Sequence, residues 1–297
     1  MEISPRQIYK DFSNSNLDKI SAVDQLIFII DNSEKINIRI ESIEILERIG
    51  LRTDKVFNLL ENLLISDSNE NVRNLAANVI KTHFIEKAFA PMRWAYEHES
   101  SIKCLTTIIS TVGQIKQPEA TLFLFEKLQK IENYQFRKSI ADILDTKNIH
   151  NHSNKKLADV INNYIVIKYF EDKFSRLNFK VERGLVTELD LSCISNNVFG
   201  ISILKNLPDF IIILRKLRKL DLKINRISTL PKTIGELPNL KYLDLSNNII
   251  KSLPEKIGQL KNLEHLYLRY NNLNNLPKSI CSLESLKILD LRHNKLS

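Results

Sequence analysis

The chain runs to 297 residues with 43 Lys and Arg against 35 Asp and Glu, long enough for two domains and carrying a net charge of +8. Its six glycines form neither GxGxxG nor GxxxxGK(S/T), which excludes a glycine-loop nucleotide site. Cys104, Cys193 and Cys281 are odd in number and far apart, which excludes a disulfide framework. The opening MEISPRQIYKDF lacks a signal-peptide core, and the longest aliphatic runs, LIFII and FIIIL, are too short to cross a bilayer, so a soluble cytoplasmic protein is expected.

From about Leu17 to Ile149 the apolar residues recur at helical spacing, as in Ile40, Ile43, Leu46 and Ile49 or Val56, Leu59, Leu60, Leu63 and Leu64. A phrase repeats within this stretch. IRIESIEILERIG, VRNLAANVIKTHF, IKCLTTIISTVG and FRKSIADILDT each open on an apolar residue followed by a base, at Ile38, Val72, Ile102 and Phe136, with spacings of 34, 30 and 34 residues. Another helical segment precedes each phrase, separated from it by a short polar turn such as DSNEN or EHES. Asn69-Glu70-Asn71-Val72-Arg73 carries the clearest turn-and-Val-Arg signature, and with it residues 1–154 resemble HEAT and HEAT-like repeats, which implies an all-α superhelix. The Trp, Leu-Gly and Tyr positions of tetratricopeptide repeats and the TPLH of ankyrin repeats are absent. Gly50 and Gly113 are expected to stop second helices in the left-handed conformation. Arg39, Arg73, Lys103 and Arg137 are read as pairing with acidic turn residues of neighbouring repeats rather than as a binding stripe.

The polar stretch NIHNHSNKK follows as the candidate linker, and LADVINNYIVIKYF after it is apolar on nearly every side, broken mainly by Asn162, Asn163 and Lys168. A helix apolar all round is a buried helix. Residues 155–185 are therefore expected to be a linker and a bridging helix between two solenoids, with FKVERGLVTELDLS entering the first strand of the second.

From Leu217 the sequence repeats every 23 residues. LRKLDLKINRISTLPKTIGELPN, LKYLDLSNNIIKSLPEKIGQLKN and LEHLYLRYNNLNNLPKSICSLES fit LxxLxLxxNxLxxLPxxIxxLxx, and the broken unit LKILDLRHNKLS follows. The two-residue spacing of the leucines in LxL predicts a short strand with both in the core, too short to bury its apolar side alone, so units stack in parallel. Asn225, Asn248, Asn271 and Asn294 recur where the chain leaves the strand, placed to satisfy backbone groups of adjoining turns as a structural ladder. The Leu-Pro step at Leu230-Pro231, Leu253-Pro254 and Leu276-Pro277 sets an extended or tight-turn return. An irregular unit precedes these: Val186 to Leu217 spans 31 residues, with eight inserted within SCISNNVFGISILKN and Ile194 where the ladder Asn would stand. Residues 186–297 resemble the leucine-rich-repeat family, in its LPxxIGxL subtype, familiar from intracellular scaffolds that include binders of small GTPases. The resemblance implies an α/β-type horseshoe with a parallel sheet on its concave face.

Charge divides unevenly. Residues 1–182 hold 25 basic and 25 acidic side chains, whereas residues 183–297 hold 18 against 10. The densest cluster, Arg215, Lys216, Arg218 and Lys219, reads either as a solvated face or as a surface for an acidic partner. No catalytic constellation emerges: His150 and His152 lie in the linker without a Cys or carboxylate at ligand spacing, and Asp221, Asp244 and Asp290 share one strand position, which makes them a surface row about 5 Å apart rather than an acid/base pair. Neither a cofactor nor a metal is implied. Tyr242, His265, Tyr267, Arg269, Tyr270 and Arg292 fall at outward strand positions, either as a protein-binding hot spot or because strands favour Tyr. The expected function is a non-catalytic interaction scaffold or adaptor in intracellular signalling. A nucleic-acid-binding helical-repeat protein using the basic patch is the alternative, and the neutral helical half speaks against it. A third reading, an enzyme akin to HEAT-like lyases or base-excision enzymes, lacks any nominated residues. The last repeat stops before a return that would cover Leu286, Leu289 and Leu291, so either a longer gene product or an end sealed by self-association or by a partner is expected.

Overall fold

The computed structural model describes residues 4–145, 152–175, 177–193, 195–196 and 204–296. The first four residues of the proposed linker, with His150, and most of the insertion, with Ile194, lie outside the described residues. The chain divides into two compact units, Met1–Lys127 with His152–Ala158 and Leu128–Asn151 with Asp159–Ser297.

The first unit is helical. Helix α1 (Pro5–Ser13) was not foreseen from spacing; the Ser4 hydroxyl caps it by accepting the Gln7 N–H, and Pro5 takes the first turn, where its missing donor costs nothing. Next come α2 (Lys19–Asn32), α3 (Ile36–Ile49), α4 (Asp54–Ser66), α5 (Glu70–His83), α6 (Phe89–His98), α7 (Ile102–Val112) and α8 (Pro118–Gln129). Asp18, Thr53 and Asn69 cap α2, α4 and α5 through their side-chain oxygens. Helices pair as α2 with α3, α4 with α5 and α6 with α7, and the second members pack successively, α3 on α5 and α5 on α7. That is a stack of helical repeats with one continuous core.

Ion pairs join consecutive repeats. Arg39 bonds Asp67, and Arg73 forks onto Glu99 at 2.7 and 2.9 Å while donating to the Asp67 carbonyl at 2.8 Å. Lys103 differs, donating to the Asn71 amide at 2.9 Å, and in the second unit Arg137 donates to the carbonyls of Gln129 and Ile131. Gly50 ends α3 at φ 66°, left-handed as expected. Gly113 does not: its φ is −62°, and its smallness serves packing instead, since a Cβ there would lie 2.5 Å from the Ala158 Cβ.

In the second unit, α9 (Tyr134–Ser139), α10 (Ala141–Leu144) and the part of α11 (Asn154–Lys173) from Asp159 onward precede the sheet. Phe136 is fully buried, edge-on to Tyr164 and tilted against Phe179. Asn163, buried in the middle of α11, accepts the Val186 N–H at 2.9 Å. FKVERGLVTELDLS is not one segment running into a strand. It is a hairpin, β2 (Asn178–Glu182) and β3 (Leu185–Asp190), turning at Arg183-Gly184 with φ of 52° and 78°. A short pair, β1 (Phe174–Ser175) with β4 (Ser195–Asn196), stands apart.

Among the described residues the main sheet has the order β2-β3-β5-β6-β7-β8, with β5 (Lys219–Asp221), β6 (Tyr242–Asp244), β7 (His265–Tyr267) and β8 (Ile288–Asp290) parallel to β3. Leu189, Leu220, Leu243, Leu266 and Leu289 lie in register, one per layer. The antiparallel β2 covers the edge that β3 would otherwise expose. Each return is a five-residue 3-10 helix rather than an α-helix: Asp209–Ile213, Lys232–Glu236, Glu255–Gln259 and Lys278–Ser282. Pro208, Pro231, Pro254 and Pro277, with ψ of 142° to 146°, precede them. A Cβ on Gly235 would lie 2.0 Å from the Lys256 carbonyl oxygen, and one on Gly258 2.3 Å from that of Ser279, so these glycines let successive returns touch backbone to backbone.

Candidate functional site

The repeat sheet is held open to solvent on one side by hydrogen bonds buried on the other. Each ladder amide spans two turns. Asn248 Nδ2 donates to the carbonyls of Leu222 and Leu245 at 3.0 Å each, and its Oδ1 accepts the Ile227 N–H at 3.0 Å. Asn271 repeats this with Leu245, Leu268 and Ile250, and Asn294 with Leu268, Leu291 and Leu273. Asn225 donates to Leu191 and Leu222. A leucine of similar volume would leave three backbone groups unpaired.

A second row of side chains, which the sequence reading missed, ties the far ends of the repeats. Asn239 donates to the Arg215 carbonyl, Asn262 to that of Pro238 and Ser285 to that of Lys261, each at 2.7 Å. The signal was the Asn, Asn, Ser at the last position of each unit, easily taken for variable loop.

On the open face the aspartates proved to be turn-makers. Asp190, Asp221, Asp244 and Asp290 each accept the backbone N–H two residues on, at 2.9, 3.1, 2.9 and 3.2 Å. Asp221 and Asp244 are consequently buried, not a surface row. Burial raises the Asp221 carboxyl above its ordinary value, against the pull of Lys223, whose ammonium lies 3.2 Å away. Arg292 grips Asp290 with two guanidinium bonds at 2.7 and 2.9 Å and holds it down to about 2.

At the equivalent position of the third unit stands Tyr267, and the face there becomes aromatic. Tyr242 and Tyr267 have ring centroids 5.4 Å apart, and His265 lies 6.1 Å from the former and 6.4 Å from the latter. Lys219 sits over the Tyr242 ring at 5.1 Å. Burial, with Asp244 and Asp221 close by, raises the Tyr242 phenol, so it stays neutral and bonds Asp244. The His265 Nδ1 is buried without a hydrogen-bond partner. At the strand exits Tyr270 stacks on His293 at 4.2 Å and Arg269 lies over the Tyr270 ring at 5.2 Å. Ile224, Asn247, Tyr270 and His293 all hold φ of 55° to 57°, a left-handed exit that repeats in each unit.

The six outward residues thus fall into two neighbouring groups, Tyr242, His265 and Tyr267 on the strands and Arg269 with Tyr270 at the exits, while Arg292 is committed to Asp290. The basic cluster is less uniform than its sequence. All four side chains are exposed, yet Arg218 bonds Glu182 and Lys219 lies over Tyr242, so two of the four are engaged. Beside it Lys241 and Lys287 converge on Glu264 at 2.8 and 2.5 Å and hold that carboxyl at about 2. Among the described residues, no three His, Cys, Asp or Glu side chains gather as a metal set, and no helix is long and apolar enough to cross a membrane.

Residues 186–250 match the family model described as leucine rich repeat, and residues 232–296 match that of a leucine-rich repeat region. Similar solved structures include a leucine-rich-repeat protein of Leptospira interrogans, 46% identical over 31% of this chain and 23% of that one, with a TM-score of 0.30. Another is the plant peptide hormone receptor RGFR1 in complex with RGF2, 31% identical over 37% of this chain and 17% of that one, also with a TM-score of 0.30. The chain thus spans less than a quarter of either. No curated protein matches it.

Proposed function

We propose that this protein, whose residues 186–296 form a leucine-rich-repeat segment, is a non-catalytic scaffold or adaptor that holds another protein against the open face of its repeat sheet. The observation that carries the reading is the aromatic group Tyr242, His265 and Tyr267 with Arg269 and Tyr270 beside it. Rigid Tyr and Arg side chains bury much area at low entropic cost, the composition of interface hot spots. Folding does not require them: the core leucines complete each layer, and the four other units carry Asp where Tyr267 stands. In this reading residues 1–154 form a HEAT-like array, residues 155–185 join it to the repeats, and the setting is cytoplasmic signalling, with a small GTPase among the partners to test first.

The test is a comparison of binding partners captured by the wild-type chain and by Tyr267→Ala with Arg269→Ala. For a hot spot the pair should cost about 2 kcal/mol or more in affinity, close to thirtyfold, with the melting temperature within a few degrees of wild type. A partner held equally well by both would place recognition elsewhere, with the helical array as the next surface to probe.

A further inference from the structure

Where the repeat sheet begins, an open cleft of about 550 Å³ is lined by Glu182, Arg183, Leu185, Thr187, Lys216 and Arg218, among others. Three cations face one carboxylate. Glu182 is occupied, bonded by Arg218 and by the Thr187 hydroxyl at 3.4 Å. Neither Arg183 nor Lys216 has a carboxylate partner among the described residues, so the cleft keeps two uncompensated positive charges, with Arg215 and Lys219 exposed alongside.

The way Arg183 is held adds an independent argument. It is the first central residue of the β2–β3 turn at φ 52°, followed by Gly184 at 78°. This geometry is met most cheaply by Asn-Gly, and Arg there is strained. The turn has no room to relax. A Cβ on Gly184 would lie 2.5 Å from Val160 Cγ2 and 2.7 Å from Ile140 Cγ2, and the Gly184 N–H is fixed on the Ser139 hydroxyl at 3.1 Å. A long cation is thus kept at the lip of a basic cleft at a position where a shorter side chain would fold better.

We propose that this cleft docks an acidic, extended segment of the protein partner, whose carboxylates are taken by the fork of Arg183 and the ammonium of Lys216 while Leu185 lines the floor. The proposal rests on the protein-binding reading for what carries the segment, and it names the chemistry of that partner. The Arg guanidinium presents two parallel donors that match a carboxylate, and removal of a water-exposed ion pair by salt makes the interaction ionic-strength dependent.

Fluorescence anisotropy of a labelled hexaglutamate peptide with the full chain over a salt series tests it. Binding should weaken as salt rises and fall at least tenfold in Arg183→Asn with Lys216→Ser. Arg183→Asn alone should weaken binding severalfold while leaving the melting temperature unchanged or higher, a combination that mere loss of structure does not produce. Lys251→Ser with Lys278→Ser removes the same charge from exposed sites elsewhere on the repeats and should change binding less than twofold. The proposal is overturned if the cleft variant binds as well as wild type, if the control pair loses as much, or if inorganic phosphate or a single-stranded oligonucleotide of equal charge binds more tightly than the peptide. Should hexaglutamate fail to bind wild type while Tyr267→Ala with Arg269→Ala still releases the partner, the cleft falls and the sheet-face reading stands.

Discussion

The helical array and the repeat sheet meet one difficulty with opposite chemistry. A stack of repeats takes polar groups out of water at every junction, and each needs a partner. The array uses charge: the side chains of Arg73 and Glu99 are 17% and 4% exposed, joined by two bonds, and Arg39 with Asp67 repeats the arrangement one helix pair earlier. The sheet uses neutral amides, each of Asn248, Asn271 and Asn294 donating to carbonyls of its own and the preceding unit while accepting a backbone N–H. A buried charge left alone is far costlier than a buried carbonyl left alone, so the two units should differ in how badly they tolerate loss of a single partner.

The largest expected effect is therefore in the array. Glu99→Ala removes the one carboxylate facing the Arg73 guanidinium, which keeps only the carbonyls of Asp67 and Ser68, and frees the Ser100 and Ser101 N–H groups that Glu99 also accepts, which should cost about 3 to 5 kcal/mol by urea unfolding. Replacing both partners, Arg73→Met with Glu99→Leu, should cost less than Glu99→Ala alone, because no buried charge remains. Burial pushes the Glu99 carboxyl up, but the Arg73 guanidinium and the Ser101 N–H more than offset it and leave it below its ordinary value. Its contribution is thus in place above the unfolded carboxylate pKa and lost as pH falls through the lowered folded one. If the single and double variants unfold alike, the charge argument fails.

Asn248→Leu comes next, at about 1 to 3 kcal/mol despite the added apolar surface, since the carbonyls of Leu222 and Leu245 and the Ile227 N–H lose their partner. An Asn248→Leu protein as stable as wild type would mean that the amide row is incidental. A cost equal to that of Glu99→Ala would erase the contrast between the two units.

What was legible follows from what repeats. A 23-residue period writes the same burial into the chain several times, so the LxL strands, the Leu-Pro returns and the spacing of Asn225, Asn248, Asn271 and Asn294 could be read from leucines and amides alone. Features that occur once were hidden. The β2–β3 hairpin rests on a single Arg-Gly, and α1 on a single Ser-Pro ahead of a weakly apolar stretch. Gly113 was misread because a glycine after a helix suggests a left-handed stop, whereas here the space taken by Ala158 decides. The aspartates of the LDL phrase looked exposed because strand alternation tells which way a side chain points, not whether it bends back onto its own turn. On the candidate face the outward residues could be named, but not that Lys219 would lie over Tyr242 or that Arg292 would be spent on Asp290, since both depend on neighbours a strand apart.

The smallest expected effect has the opposite sign and sharpens the comparison at the backbone. Where the array turns left-handed at the end of α3 it places Gly50, at φ 66°, which suffers no side-chain clash. Where the sheet does so at the strand exits it places Ile224 at φ 56°, a β-branched residue in a region that costs L side chains about 1 to 2 kcal/mol. Asn247 holds the same position one unit later at φ 57°, so an amide fits the turn. Ile224 is 47% exposed and little core would be lost. Ile224→Asn should therefore stabilise the protein by about 1 kcal/mol, raising the melting temperature by roughly 2 to 4 °C. If the variant is instead no more stable, the exposed Ile224 side chain makes contacts worth as much as its strain. If it is more stable but binds the partner less well, the exit row of Ile224, Tyr270 and His293 belongs to the recognition face, and the strain there is kept for binding.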